Sequence, residues 1–161
     1  MVLHEIEEAR SIRSFQWRKS WERDLEVLDG FRKASLFYVK AAEAALAEVS
    51  RGPEGEDVRE WRGRADDQFL LSLEEVELRF GRRAPQVTEL IKAMKEKYRM
   101  LYEEYLRLRR RHDEPGAYIW SDTLTELSRL RLEMAVQLER IIDQPPRSTE
   151  KLGKGKIEST H

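Results

Sequence analysis

Apolar residues recur at alternating spacings of four and three positions in the middle of the chain. The series is Val87, Ile91, Met94, Tyr98, Leu101, Tyr105 and Leu108. A seven-residue repeat with two apolar positions puts these side chains on one side of an α-helix, and it is typical of helices that pack side by side, as in coiled coils. Because Pro85 suits a first helical turn and Pro115 ends the pattern, we predict a helix over residues 85–112.

The rest of the chain carries three more apolar series with a helical period. They predict helices over residues 20–50, 57–80 and 119–143. The apolar positions of the first are Trp21, Leu25, Leu28, Phe31, Leu36, Val39, Ala42, Leu46 and Val49. Those of the second are Val58, Trp61, Ala65, Phe69, Leu73, Val76 and Phe80. Those of the third are Trp120, Leu124, Leu127, Leu130, Met134, Leu138 and Ile141.

Polar residues and glycines mark the ends of these helices. Ser20 is interpreted as the cap that starts the first, and Asp57 with Glu60 as the capping pair of the second. Gly81 is interpreted as the stop of the second. Gly30 lies inside the first predicted helix and costs about 1 kcal/mol relative to alanine, so we expect any kink to lie there.

The connections between the predicted helices are short, which favours antiparallel neighbours. We therefore predict an all-α fold, an antiparallel up-down-up-down four-helix bundle over residues 20–144. Residues 1–19 form an N-terminal helical extension, and residues 145–161 form a polar, basic tail that is disordered or loosely held. Residues 3–19 either continue the first long helix or fold back as a short separate one.

Composition removes several classes of function. Lys and Arg total 30 and Asp and Glu total 31, so net charge gives no argument for attraction to nucleic acid or to an anionic membrane. The chain has no cysteine, which excludes disulfides, thiolate metal sites and thiol nucleophiles. No export signal is visible, and no apolar run approaches the roughly 20 residues of a membrane span. We predict a cytoplasmic protein without transmembrane insertion.

The residues needed for common catalytic sites do not occur in the right patterns. The three histidines, His4, His112 and His161, lack the Glu-x-x-His spacing of bundles that bind two metals. No Gly-x-Ser-x-Gly elbow is present, and the glycines of residues 52–55 and 153–156 lack the phosphate-loop frame. We predict no catalytic residue, no cofactor and no metal, and hence a protein that is not an enzyme.

One short motif resembles part of an enzyme family. Residues 107–112, RLRRRH, resemble the Arg-x4-His element of HEPN ribonucleases. The resemblance implies that Arg107 and His112 act together on an RNA phosphodiester. The chain departs from the pattern at Leu108, where that family usually carries a small polar residue. The preferred interpretation is a basic last turn that complements the helix dipole.

Residues 10–21, RSIRSFQWRKSW, combine basic and aromatic side chains without any acid. Arginine and tryptophan are enriched at binding hot spots, and basic-aromatic segments also stack nucleobases or lie at membrane interfaces. The segment packs on its own bundle, contacts a protein partner, or contacts nucleic acid or membrane. The residues predicted to bind a partner are Arg10, Arg13, Phe15, Trp17, Arg18 and Lys19.

Two classes of function follow from these patterns. We favour a helical interaction protein, an adaptor or assembly subunit that self-associates as a homo-oligomer. Tyr98, Tyr102 and Tyr105 would suit a subunit interface. The alternative is a nucleic-acid binder that uses basic patches at residues 10–21, at residues 107–111 and in the tail, with ribonuclease activity as a remote variant. The basic residues of the tail are Arg147, Lys151, Lys154 and Lys156.

Overall fold

The computed structural model describes residues 2–110 and 119–144, without the side chain of Ile119. These residues form four helices and no strand. The helices are α1 (Val2–Arg51), α2 (Glu56–Phe80), α3 (Pro85–Arg110) and α4 (Ile119–Asp143). The predicted all-α four-helix fold is confirmed, whereas its up-down-up-down order stays a prediction. The predicted loop at 113–118 and the tail at 145–161 lie outside the described residues.

The first predicted helix and the predicted extension form one continuous helix. α1 has 50 residues and runs through Gly30 without a break. Of the two alternatives for residues 3–19, continuation of the long helix is the observed one. At 1.5 Å per residue, α1 is roughly 75 Å long. The other helices are about half that length, so α1 is too long to be covered along its whole length.

The core lies between the four helices and is built from the predicted apolar series. Every predicted position of α2, α3 and α4 is buried or partly buried. On α1 two predicted core residues, Trp21 and Leu36, are exposed. The buried face of α1 instead passes through Phe31, Ser35 and Tyr38. An unbroken helix keeps a single register, and Leu36 points away from that face.

The caps of α2 differ from the prediction at one end. Gly55 occupies the N-cap position and no side chain caps it, because α2 begins at Glu56 and Asp57 already lies inside the helix. The Gly55 amide donates to a carboxylate oxygen of Glu48 at 3.2 Å. The other end is as predicted, since the Gly81 amide donates to the Glu77 carbonyl at 2.9 Å.

Candidate interaction surface

The N-terminal half of α1 has no covering layer. Every residue from 2 to 23 is exposed, and burial begins at Asp24. We call residues 2–23 the projecting segment; at 1.5 Å per residue it is roughly 33 Å long. Its large exposed apolar side chains are Val2, Leu3, Ile6, Ile12, Phe15, Trp17 and Trp21. Most of residues 10–21 therefore do not pack on their own bundle, which they contact only at the base of the segment.

The predicted partner-binding residues do not share one face. Trp17 and Trp21 stack with ring centroids 6.3 Å apart. Lys19 lies over the Phe15 ring, with its Nζ 4.7 Å from the centroid. Successive residues turn by about 100° around an α-helix, so Phe15 and Trp17 are roughly 200° apart. The aromatic residues thus form two small clusters on opposite sides of the helix.

One of these sides continues the buried face of α1. Trp21 lies seven positions before Leu28, so the two side chains lie nearly in line along the helix. Upstream of the tryptophans the same line passes through four exposed residues, Arg13, Arg10, Ile6 and Leu3. We call these six residues, from Leu3 to Trp21, the open face. The open face is apolar at both ends and basic in the middle.

A buried carboxylate anchors α1 where it leaves the bundle. Asp24 has a side chain only 7% exposed and accepts hydrogen bonds from two arginines. Arg79 Nε donates to its Oδ1 at 2.6 Å, and Arg83 Nη2 donates to the same oxygen at 2.9 Å. Arg79 Nη2 also donates to the carbonyl and hydroxyl oxygens of Ser20, at 2.8 and 2.9 Å. The base of the projecting segment is thus tied to α2 and to the turn after it.

The sequence contained a signal for this anchor that the prediction missed. Asp24 lies three positions before Val27 and four before Leu28 on the buried face, at a place where an apolar residue is expected. An acid at a core position requires a cationic partner. Ser20 was predicted to cap a helix, which is wrong: it lies inside α1 and accepts from Arg79.

A cleft opens beside this anchor. It has a volume of about 100 Å³ and includes Trp17, Trp21 and Asp24 of α1, Arg83, and Ile141 of α4 in its lining. Its walls are mixed, because Ser20 and Gln144 line it together with the ion pair and the apolar side chains. The cleft therefore joins the open face to the end of the bundle.

The opposite end of the bundle holds a second buried carboxylate. Glu54 follows α1, its side chain is 1% exposed, and it accepts a short hydrogen bond from the Tyr105 hydroxyl. The Arg62 guanidinium lies 3.9 Å from the centroid of the Tyr105 ring, and its Nε is 3.8 Å from Glu54 Oε1. Neither Arg62 Nε nor Glu54 Oε1 has a hydrogen-bond partner among the described residues. This cluster joins the turn after α1 to α2 and α3.

Tyrosines extend this cluster along the bundle. Tyr38 stacks on Phe69 at 4.5 Å between centroids, and Tyr98 lies 5.5 Å from Tyr38. Burial raises the pKa of Tyr38 far above its ordinary value, and it raises the pKa of Tyr98 to about 12. Both hydroxyls therefore stay protonated at neutral pH. Tyr105 is buried, so only Tyr102 of the predicted interface tyrosines is exposed.

Asp66 carries an unfavourable charge beside these tyrosines, which gives a testable pH dependence. Burial raises the pKa of its carboxyl to about 6, although Arg62 acts in the opposite direction. The ordinary value is 3.8, so the folded state binds this proton more tightly than the unfolded state. The stabilisation that comes from the protonated Asp66 carboxyl is fully present below pH 3.8, and it is lost as the pH rises through about 6.

We expect Asp66→Asn to melt at least about 2 °C above the unmodified protein at pH 7.5. This difference in melting temperature should shrink as the pH falls to 4.5, because Asp66 of the unmodified protein is then protonated in the folded state. Thermal unfolding followed by circular dichroism measures both. Asp67→Asn, at the exposed neighbouring position, is the control. An excess that grows on acidification would contradict the assignment.

The described parts of the basic patches lie at different ends of the bundle. Residues 10–19 lie before Asp24, at the end of the bundle from which α1 projects. Arg109 and Arg110 lie near the opposite end, because they follow Tyr105, whose hydroxyl donates to Glu54 just after α1. The separation along α1 from Lys19 to Arg51 is roughly 48 Å at 1.5 Å per residue. These two patches do not form one surface. Arg111 and the basic tail residues lie outside the described residues.

The ribonuclease-like motif is only partly described. Arg107 forms an ion pair with Glu104 at 2.6 Å, and Leu108 is buried in the core. His112 lies outside the described residues. Within residues 2–110 and 119–144, no group of three or more His, Cys, Asp or Glu is arranged to hold a metal ion. None of the four helices is long and apolar enough to cross a membrane.

The helices and the open face define the class of protein. It is a four-helix bundle whose first helix extends beyond the other three. Comparison of the chain with protein-family models, curated proteins and solved structures finds no match.

Proposed function

We propose that this chain is a non-enzymatic interaction protein, an adaptor or assembly subunit, that self-associates through the projecting segment. One observation carries the proposal: a helical segment of 22 residues, 2–23, is exposed beside a packed bundle, and four of its seven large exposed apolar side chains lie together on the open face, namely Leu3, Ile6, Trp17 and Trp21. Exposed apolar patches of this kind mark interaction surfaces. Trp and Arg, which line the open face, are the residues enriched at binding hot spots.

The ionisable groups of the bundle support a structural role for its polar clusters. Asp24 is paired with two arginines, and Glu54 lies between Tyr105 and two arginines, Arg59 and Arg62. Both of these buried carboxylates thus have cationic neighbours within the fold. Nucleic-acid binding, the alternative prediction, has less support because the described basic patches do not converge.

The test is the oligomeric state of the full chain over a wide range of concentration. We expect a concentration-dependent oligomer by analytical ultracentrifugation. Ile6→Glu combined with Trp17→Glu should raise the dissociation constant at least about 30-fold, since two hot-spot side chains are replaced by charges. Both residues are exposed, so the fold should be unaffected.

The matched control is Leu78→Glu, which places the same charge at an exposed leucine of α2. It should leave the dissociation constant unchanged. An unmodified chain that stays monomeric at every concentration would overturn the proposal. Equal weakening by the control and by the double variant would also overturn it, because the effect would then be one of charge alone.

A further inference from the structure

We propose that two copies of this chain pair antiparallel through their projecting segments, so that the tip of each segment reaches the cleft at the base of the other. This inference rests on the proposed self-association and specifies its geometry. The occupant of the open face is thus a second copy of the same face. Three features of the projecting segment support this arrangement.

The first feature is the distribution of apolar residues along the open face. Ile6 and Trp17 lie at nearly equal distances from the middle of the projecting segment, and so do Leu3 and Trp21. When two copies run antiparallel about a two-fold axis near residue 12, Ile6 of each meets Trp17 of the other. Leu3 then meets Trp21. Each contact forms twice, and a small aliphatic side chain always faces a large aromatic ring.

The second feature is charge. Glu7 and Arg18 lie on the same flank of the open face, because they are eleven positions apart and eleven residues make about three helical turns. Neither has an ion-pair partner among the described residues. When two helices pair antiparallel, the same flank of each helix faces the other copy. With the two-fold axis near residue 12, Glu7 of one copy therefore meets Arg18 of the other. A parallel pair would leave the two charges roughly 16 Å apart.

The third feature is the cleft beside Asp24. The tip of the projecting segment carries Val2 and Leu3, which are 70% and 77% exposed. With the axis near residue 12, these residues reach the level of Trp21 on the other copy. There the cleft of about 100 Å³, whose lining combines Trp21 and Ile141 with polar side chains, lies beside the tip of the other copy. The pairing therefore covers both ends of the open face.

The middle of the open face contributes unfavourably to this pairing. Arg10 of each copy comes close to Arg13 of the other, and like charges repel. The long arginine side chains can turn outward and keep their charged heads in water. This contact limits the affinity that the apolar ends can reach.

A charge exchange distinguishes the antiparallel from the parallel arrangement. Glu7→Arg alone and Arg18→Glu alone should each raise the dissociation constant about tenfold, because two ion pairs become two repulsions. The chain that carries both changes restores the two pairs and should bind within about threefold of the unmodified chain. Sedimentation equilibrium of the full chain measures all four proteins.

A single cysteine gives an independent readout, since the described residues and the whole sequence contain none. In the antiparallel pair the two copies of residue 3 are roughly 27 Å apart at 1.5 Å per residue, beyond the reach of a disulfide. Leu3→Cys should therefore not cross-link the dimer on oxidation. Efficient cross-linking at this position would show a parallel pair and overturn the inference.

The outcomes separate this inference from the proposed function. If the unmodified chain is monomeric, both fail. If it is oligomeric but the double charge exchange does not restore affinity, or Leu3→Cys cross-links, only the antiparallel geometry fails. Rescue by the double exchange together with absence of the disulfide supports the inference.

Discussion

Phe69→Ala is expected to lower the free energy of unfolding by about 3–5 kcal/mol. Phe69 is 0% exposed and its ring stacks on Tyr38, with centroids 4.5 Å apart and planes at 9°. The Tyr98 ring is 6.3 Å away on another side. Truncation removes apolar burial and leaves a cavity among rigid rings of α1 and α3, which cannot collapse into the space easily.

Urea unfolding followed by circular dichroism measures this loss, and an unchanged slope against denaturant would show that the unfolded state is the same. Leu71→Ala is the matched control, because Leu71 lies on the same helix and is 57% exposed. It should change stability by no more than about 0.5 kcal/mol. Similar losses for the two variants would mean that Phe69 is not at the centre of the core.

Asp24→Ala is expected to cost about 2–3 kcal/mol, the value of a buried charged hydrogen-bonding group. The substitution leaves Arg79 and Arg83 without their shared acceptor. Both arginines are partly exposed, so water can reach them, and the cost stays below that of breaking a fully buried pair. The same urea experiment measures it.

The control for Asp24 is Asp29→Ala on the same helix. Within the described part of the chain, Asp29 pairs only with Lys33, at 2.8 Å, and both side chains are largely exposed. Its removal should cost no more than about 0.5 kcal/mol. If Asp24→Ala is as mild as this control, the anchor contributes nothing to stability, and the base of the projecting segment is held by apolar packing alone.

The helices could be predicted because their apolar periods are long and uninterrupted. α3 is the clearest case, and its predicted start at Pro85 is the observed one. Tyr105 was correctly placed on the apolar side, yet its partner Glu54 could not be found. Glu54 lies in a Gly-Pro-Glu-Gly turn, and only the three-dimensional path of that turn places its carboxylate under α3.

The exposure of the projecting segment could not be predicted from the sequence, for a different reason. Its basic and aromatic residues were identified, but their exposure depends on how far the other three helices reach along α1. That length is set by the turns at residues 52–55 and 81–84, which are remote in sequence. The separation of Phe15 from Trp17 needed only the helical period once residues 2–23 were known to be helical.

The continuity of α1 has a consequence for how its exposed half forms. Starting a helix is costly because several residues must be ordered before the first hydrogen bond, whereas adding a residue to an existing helix is not. Residues 24–51 are held by the bundle and provide that start, so the helix grows outward from Asp24 without a nucleation cost of its own. The tip at Val2 should fray first and exchange its amide hydrogens fastest. In the proposed dimer, each copy therefore offers a segment that is already helical, and pairing costs little conformational entropy.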